Sequence, residues 1–493
     1  MIRKLLLICF ALLIGGTLCA QNENNFLKLS LQDVIDLATD SSLSAFIAEN
    51  RYYAGYWGYR NYRAQRLPFM NLNTNPVNFN RSVTRQYNFQ DSSYYYVEQQ
   101  TLSASGNLSL NQTITGTGGR IYIDSDLGFL NNLNRDSPGQ YSTTPVRIGF
   151  NQQLFGFNPY KWENLIEPLK YEKAKKTLVE NMEEIALRTV AYFFNVAKAR
   201  INLEIASTNL ANADTLYSVG LQRSEIASIT REDLLSLKLD LVNARNEMDL
   251  AITNLKRARM SLNSLLRLNS AIEFELILPD KLPDIQLNAS QCLELARENN
   301  PEFIEFRQQH LEASREVEMA KKSSQFSADL NASFGLNQQA NNLVSAYKNP
   351  VDQEIVSVGL SIPLIDWGLS KGRYKLAERN REVIKLSLQQ AEIDLEQSLI
   401  LTVEEFNLQD KLVQSASEAE EIAELAYQVT RERFLMGNAD LVRLNMSQTS
   451  SISAQRNYID ALESYWIYYY TIRKLTLYDF INGNELIHEL LMD

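Results

Sequence analysis

The strongest constraint on this chain is that it contains its own plan twice. "VRIGFNQQLFGFN" at 146–158 is echoed by "VSVGLSIPLIDWG" at 356–368. Val146, Ile148, Gly149 and Leu154 fall on Val356, Val358, Gly359 and Leu364 at one offset of 210 residues. Upstream, "LQDVIDLATDSS" at 31–42 matches "ASQCLELARENN" at 289–300, aligning Asp36, Leu37 and Ala38 with Glu294, Leu295 and Ala296. Downstream, "IASITREDLL" at 226–235 reads against "NADLVRLNMS" at 438–447, with Ala227 on Ala439 and Arg231 on Arg443. Both halves carry the order short helix, strands, long helix, turn, medium helix. Self-similarity of this extent marks a tandem duplication. The first repeat is expected over 21–275 and the second over 276–480, followed by a tail at 481–493.

The helical stretches are unusually long. From Tyr160 to Gln222 no proline follows Pro168 and no glycine precedes Gly220. Leu178, Met182, Ile185, Thr189, Tyr192 and Val196 recur at spacings of four and three, the seam of a coiled coil, and Val179, Ala186, Val190, Phe194 and Ala197 form a second stripe. From Leu369 to Met436, Ile384, Leu388, Ala391 and Leu395 mark one seam and Leu386, Ile393 and Ile400 another. A solitary coiled coil needs one seam; two predict a layer of helices, each packed on both sides. The medium helices near 30–66 and 227–267 together match one long helix, so stacked end to end they would give a wall of even height. One chain has too few helices to close a wide tube, which implies self-association.

The segments between helices alternate. Phe326, Ala328, Leu330, Ala332, Phe334 and Leu336 are interleaved with small or polar residues, and similar runs start at Met70, Leu102 and Ile121, the last beyond the turn-like "GTGG" at 116–119. Period-two alternation suits strands with lipid on one side and water on the other, and equally the strands of a sandwich.

The first twenty residues, Arg3 and Lys4 followed by an apolar run ending at Ala20, form a secretory signal peptide. Gly16-Thr17-Leu18 is a poor context for lipidation of Cys19, so plain cleavage after Ala20 is expected. Losing two positive charges takes the formal net charge from −11 to −13, and no basic footprint for nucleic acid remains. Cys292 is then the one cysteine, expected to be a small core residue, and His310 and His488 form no ligand-spaced cluster, so no metal or other cofactor is expected. No later segment has the roughly 18 apolar residues of a spanning helix. An exported chain of this kind is either soluble or a β-barrel. Nucleophile, zinc and phosphate-loop motifs are absent, acidic runs such as "SEAEEIAELA" read as solvated helix faces, and "YWIYYY" at 465–470 reads as helix packing. The chain is not expected to be an enzyme.

The duplicated order, the "LxDxxxLA" opening, "GLSIPLIDWG" before a long helix and "RERFLMGNADLVRL" at its far end resemble the TolC-like outer-membrane efflux family over residues 27–480. The resemblance implies an α+β protein of the outer membrane. In it a homotrimer shares one transmembrane barrel, four strands from each chain, above a periplasmic tunnel of antiparallel helices. The tunnel would meet a periplasmic adaptor (a membrane fusion protein) and an inner-membrane transporter. The function implied is a passive exit duct for efflux or type I secretion; the alternative is a periplasmic structural coiled-coil protein without a pore. Two departures stand out. Leu37 to Gly149 spans 112 residues where Leu295 to Gly359 spans 64, and the excess of 48 reads as an external loop carrying a hairpin, with two further barrel strands as the alternative. At the tunnel entrance, Arg443 and Met446 stand where family members often place aspartates, and Asp440 is nearer the turn. The entrance is therefore expected to involve Arg231, Glu232, Asp233, Asp440, Arg443 and Met446. The adaptor-docking tip is expected at Gly220, Ser224, Glu225, Gly437 and Asn438, and a membrane-interface girdle at Phe155, Phe157, Tyr160, Trp162 and Trp367.

Overall fold

The computed structural model describes residues 27–134, 138–225, 229–268, 274–279, 282–436, 438–439, 441–488 and 491; the signal segment, Gly437 and Asp440 lie outside them. After a short strand β1 (Leu27–Leu29), Ser30 opens helix α1 (Leu31–Ser41) with a capping box: its hydroxyl accepts the Asp33 N–H while the Asp33 carboxylate accepts the Ser30 N–H. Ser42 ends α1 and caps α2 (Leu43–Ala64), its hydroxyl accepting the Ala45 N–H, so the two form a kinked column. Strands β2 (Phe69–Asn88), β3 (Ser93–Ile114), β4 (Gly119–Asn132) and β5 (Gln140–Leu154) follow, then helix α3 (Pro159–Glu225) and helix α4 (Arg231–Leu266).

The second half repeats this with fewer strands. A short strand β6 (Phe274–Leu276) pairs parallel with β1, and α5 (Ala289–Asn299) and α6 (Pro301–Ser323) match α1 and α2. Strands β7 (Ser327–Ala340) and β8 (Val351–Ser361) then lead to α7 (Leu369–Leu435) and α8 (Leu441–Thr476). Helices α3 and α7 have 67 residues each and α4 and α8 have 36 each. All four boundaries keep the offset of 210 first visible in the strand phrases.

Packing places four columns in a row. Helix α3 touches α2 and α4 on one flank and α6 and α8 on the other, and α7 packs on α6 and α8. The order is α2/α4, α3, α6/α8, α7, with medium helices stacked to the height of a long one. Each long helix extends about 100 Å at ~1.5 Å per residue. The core lies at mid-height, where Leu178, Phe193, Phe194, Leu262, Phe406, Tyr465 and Tyr469 are fully buried. Cys292 is buried there, and burial pushes its thiol up to about 11. The "YWIYYY" run packs on Phe406, with the Tyr465 and Tyr469 hydroxyls donating to the Pro283 carbonyl and Asp479 carboxylate.

At one end of the row lies a single antiparallel sheet in the order β2-β3-β4-β5-β7-β8. This corrects two expectations. The chain contributes six strands rather than four, and the 48-residue excess is not merely a loop-borne hairpin. Strand β3 pairs with β2 over Ser93–Asn111 and with β4 from Thr101↔Asn132 to Ile114↔Gly119, and β4 pairs in turn with β5 over Arg120–Leu130. Beyond Thr101, Ser93–Gln100 pairs with β2 alone, so a hairpin tip also projects about 27 Å past β4 at ~3.4 Å per residue. No helix among the described residues is long and apolar enough to cross a membrane.

Candidate channel wall and periplasmic entrance

The sheet has two chemically distinct faces. Residues paired across strands share a face, so the registers assign Met70, Leu108, Leu110, Ile121, Ile123, Ile148, Phe150, Leu330, Phe334, Val356 and Val358 to one side. Several are widely exposed, Met70 at 64% and Val356 at 75%, an arrangement that water penalises and lipid does not. The other side carries Asn71, Asn73, Asn107, Ser109, Asn111, Asn151, Asn331 and Ser357. On that polar face the Arg147 guanidinium donates from Nε to Asp124 at 2.9 Å and from Nη2 to both Asp124 and Asp126, at 3.2 Å to the latter, while Asn107 donates to Asp126 at 2.6 Å. Tyr122 lies flat over Gly149: a Cβ there would meet its ring at 2.1 Å, so glycine is required. None of this polar cluster was among the sequence expectations. Its signal is charge at the polar positions of an alternating run, "DSD" at 124–126 and Arg147 between Val146 and Ile148.

Where strands hand over to helices, aromatic residues gather. Phe155 is exposed and packs at a tilt on Phe326, ring centroids 5.1 Å apart; Phe157 and Tyr160 are half-buried, and the Tyr160 carbonyl accepts from Arg66. Trp162 is clamped to α6, its indole N–H donating to Glu318 at 3.0 Å. Trp367 differs: it is 97% exposed at φ 53°, ahead of Gly368 at φ 87°, and the Asp366 carboxylate caps α7 by accepting the Gly368 and Ser370 N–H groups. A bulky residue in the left-handed region is strained, and an indole held in the open at the foot of an apolar sheet suits the lipid headgroup zone. With Trp57, Trp162 and Trp466 changed to phenylalanine, Trp367 fluorescence is expected to be quenched by brominated lipid in bilayers; unquenched emission would remove it from the girdle.

At the far end of the columns, Arg231 and Glu232 are exposed in the first turn of α4, and Arg443 and Met446 are exposed near the start of α8. The constant offset of 210 sets Arg231 opposite Leu441 and Arg443 opposite Asp233, two residues from the pairing read in the sequence. Asp233 is occupied as a helix cap, accepting the Thr230 hydroxyl at 2.6 Å and N–H at 3.3 Å. Glu225 ends α3 exposed, Ser224 is half-buried and Asn438 is exposed. Gly220 is not part of the turn. It is buried inside α3, where an added Cβ would meet Leu237 Cδ1 at 2.7 Å, so it permits close approach of α3 and α4.

A sheet apolar on one face and polar on the other, continuous with columns of helix, defines a membrane-embedded β-protein with a long extramembrane helical body. Residues 292–476 match the family described as outer membrane efflux protein. Over that span, which holds most of the second repeat, the chain is similar to outer membrane efflux proteins. Its fold is shared with the outer membrane channel CmeC of Campylobacter jejuni at 14% identity and TM-score 0.66, over 94% of this chain and 88% of that one. The outer membrane protein VceC of Vibrio cholerae gives 14%, 0.61, 92% and 96%, and the open-state MtrE channel of Neisseria gonorrhoeae 16%, 0.59, 90% and 88%. No curated protein sequence matches the chain.

Proposed function

We propose that three copies form a passive exit duct through the outer membrane, opened by a periplasmic adaptor and driven by an inner-membrane transporter. The observation that carries this reading is the unfinished edge at both ends of each layer. The helix row ends on α7, whose seam Leu386, Ile393 and Ile400 is exposed while Leu388, Ala391 and Leu395 turn inward. It ends at the other side on α4, which exposes Leu235, Leu239 and Val242. Head-to-tail contact between these faces is heterologous, and a closed ring satisfies every copy. A periplasmic coiled coil without a pore would have no use for the two-faced sheet. Purified protein is expected to give heat-modifiable trimers in the outer-membrane fraction and discrete channels in planar bilayers. Soluble monomers without conductance would overturn the duct.

The far ends of the helices, at Ser224 in the last turn of α3 and at the exposed Asn438, are where an adaptor would dock, and crosslinkers placed there are expected to capture it. Arg231 and Arg443, one pair from each copy, would sit near one level, with Glu225 and Glu232 nearby in the sequence. Exposed ion pairs contribute only ~0–1 kcal/mol each, so a latch needs several together. The double variant Arg231→Ala, Arg443→Ala is expected to raise the resting single-channel conductance. A selectivity shift with unchanged closed-state conductance would mean that the arginines line the pore without locking it.

A further inference from the structure

We propose that the barrel closed by three copies has eighteen strands, sealed at three seams where β2 of one copy pairs with β8 of the next. The inference rests on the trimeric duct and goes beyond it, because the six-stranded sheet decides how wide the membrane portion is.

Three observations carry it. First, β3 and β4 are wall strands and not an appendage: Leu108, Leu110, Ile121 and Ile123 share the apolar face with Ile148 and Phe150, and Asp124 of β4 is bonded to Arg147 of β5 on the polar face. Second, the sheet ends at β2 and β8, and an open edge inside hydrocarbon leaves backbone N–H and C=O groups without partners at several kcal/mol each. The two edges run in opposite directions. Strand β2 leaves the helices at Phe69 and β8 returns to them at Ser361, so joining β8 to the next β2 continues the antiparallel alternation around an even-numbered barrel. Pro76 and the bulge at Asn75/Asn78 interrupt β2, which confines the seam to Phe69–Asn75 against the lower half of β8.

The third observation is circumference. Four helix columns per copy make twelve in the trimer, and columns about 9–10 Å apart give a ring of roughly 110–120 Å. A strand spaced ~4.8 Å from its neighbour and tilted ~40° occupies about 6 Å of circumference. Eighteen strands therefore make roughly 110 Å, matching the helical ring, whereas twelve at the same tilt make about 75 Å. The extra hairpin lets the barrel continue the tunnel without a narrowing.

The test is disulfide trapping in outer membranes. Cysteines at Asn71 or Asn73 of β2 are combined with cysteines at Ser357 or Ser361 of β8, all on the polar face. Cys292, buried with a raised thiol pKa, stays silent. A separate pair, Val242→Cys on α4 with Leu425→Cys on α7, reports the helical seam at matching height. At least one β2–β8 pair is expected to convert most of the chain into covalent dimers and closed trimers under oxidant. If the helical pair crosslinks and no β2–β8 pair does, the eighteen-strand barrel is overturned and the trimeric duct stands. If neither crosslinks and no trimer is seen, both fall.

Discussion

A chain carrying Leu386→Asp and Ile393→Asp is expected to fold its helices and fail to form trimers. Both side chains lie on the outer flank of α7, 57% and 47% exposed in the single chain, and neither supports a neighbour within it. In the ring they would meet the α2/α4 column of the next copy. Burying an aliphatic side chain contributes about 1.5–3 kcal/mol, so removing two takes roughly 3–6 kcal/mol from each of three interfaces. Desolvating two unpaired carboxylates adds a further cost of several kcal/mol. At ~1.4 kcal/mol per tenfold, association at each interface weakens by at least about a hundredfold. Light scattering in detergent would show monomers with unchanged helical circular dichroism, and the conservative variant Leu386→Met, Ile393→Leu should remain trimeric. Normal trimers from the aspartate variant would place the interface elsewhere.

The second large effect is expected inside the chain. Arg473 of α8 reaches α3, donating from Nε and Nη2 to the two oxygens of Glu183, both at 2.9 Å, and from Nη1 to Asp479 at 3.2 Å. All three side chains are nearly closed to solvent. The guanidinium also lies 5.0 Å from the Tyr470 ring, and the Tyr469 hydroxyl donates to Asp479 at 2.7 Å. Burial opposes the charge on Arg473, and Glu183 more than offsets it, leaving the arginine pKa above its ordinary value. Arg473→Ala strands the Glu183 carboxylate in the core, an arrangement that costs on the order of 3–5 kcal/mol. The double change Glu183→Leu, Arg473→Met removes the Glu183 carboxylate together with its partner and leaves Asp479 its bonds from the Tyr469 hydroxyl and the Ile481 and Asn482 N–H groups, so it should recover most of the loss, because buried pairs exchanged for apolar groups are often near neutral. Urea midpoints of the helical signal measure both variants. Equal losses in the single and double variants would show that the pair itself, rather than the stranded charge, is what matters.

Much of the helical body was legible in the sequence. The 3.5-residue seams are local, so Leu178 to Val196 and Ile384 to Leu395 announced helices whose length needed only the absence of proline and glycine. The second stripe on α7 foretold a face that one chain leaves uncovered. Alternation likewise marked the strands, because side chains on a pleat point to opposite faces whatever the strand pairs with. For the same reason alternation could not say where β3 and β4 belong. A run such as 101–114 reads identically as a wall strand or as part of an external hairpin, and the choice is made by hydrogen bonds to Asn132–Gly119 on one side and to β2 on the other. Pairing partners are non-local, so the strand count of six came from the tertiary structure alone.

Gly220 shows the same limit within a helix. A glycine near the end of a long helical pattern suits a turn, yet here it lets Leu237 of α4 approach the α3 backbone, a demand set by a neighbour seventeen residues away. The arginines at the far turns carry it further. Their residue types and rough level follow from the repeat, but the register between halves, and the use of Asp233 as a cap, depend on where each helix begins. Sequence determined which elements exist and which faces are apolar, because those depend on neighbours along the chain. Only the tertiary structure decided which edges meet and which polar groups bond across them, because those depend on neighbours in space.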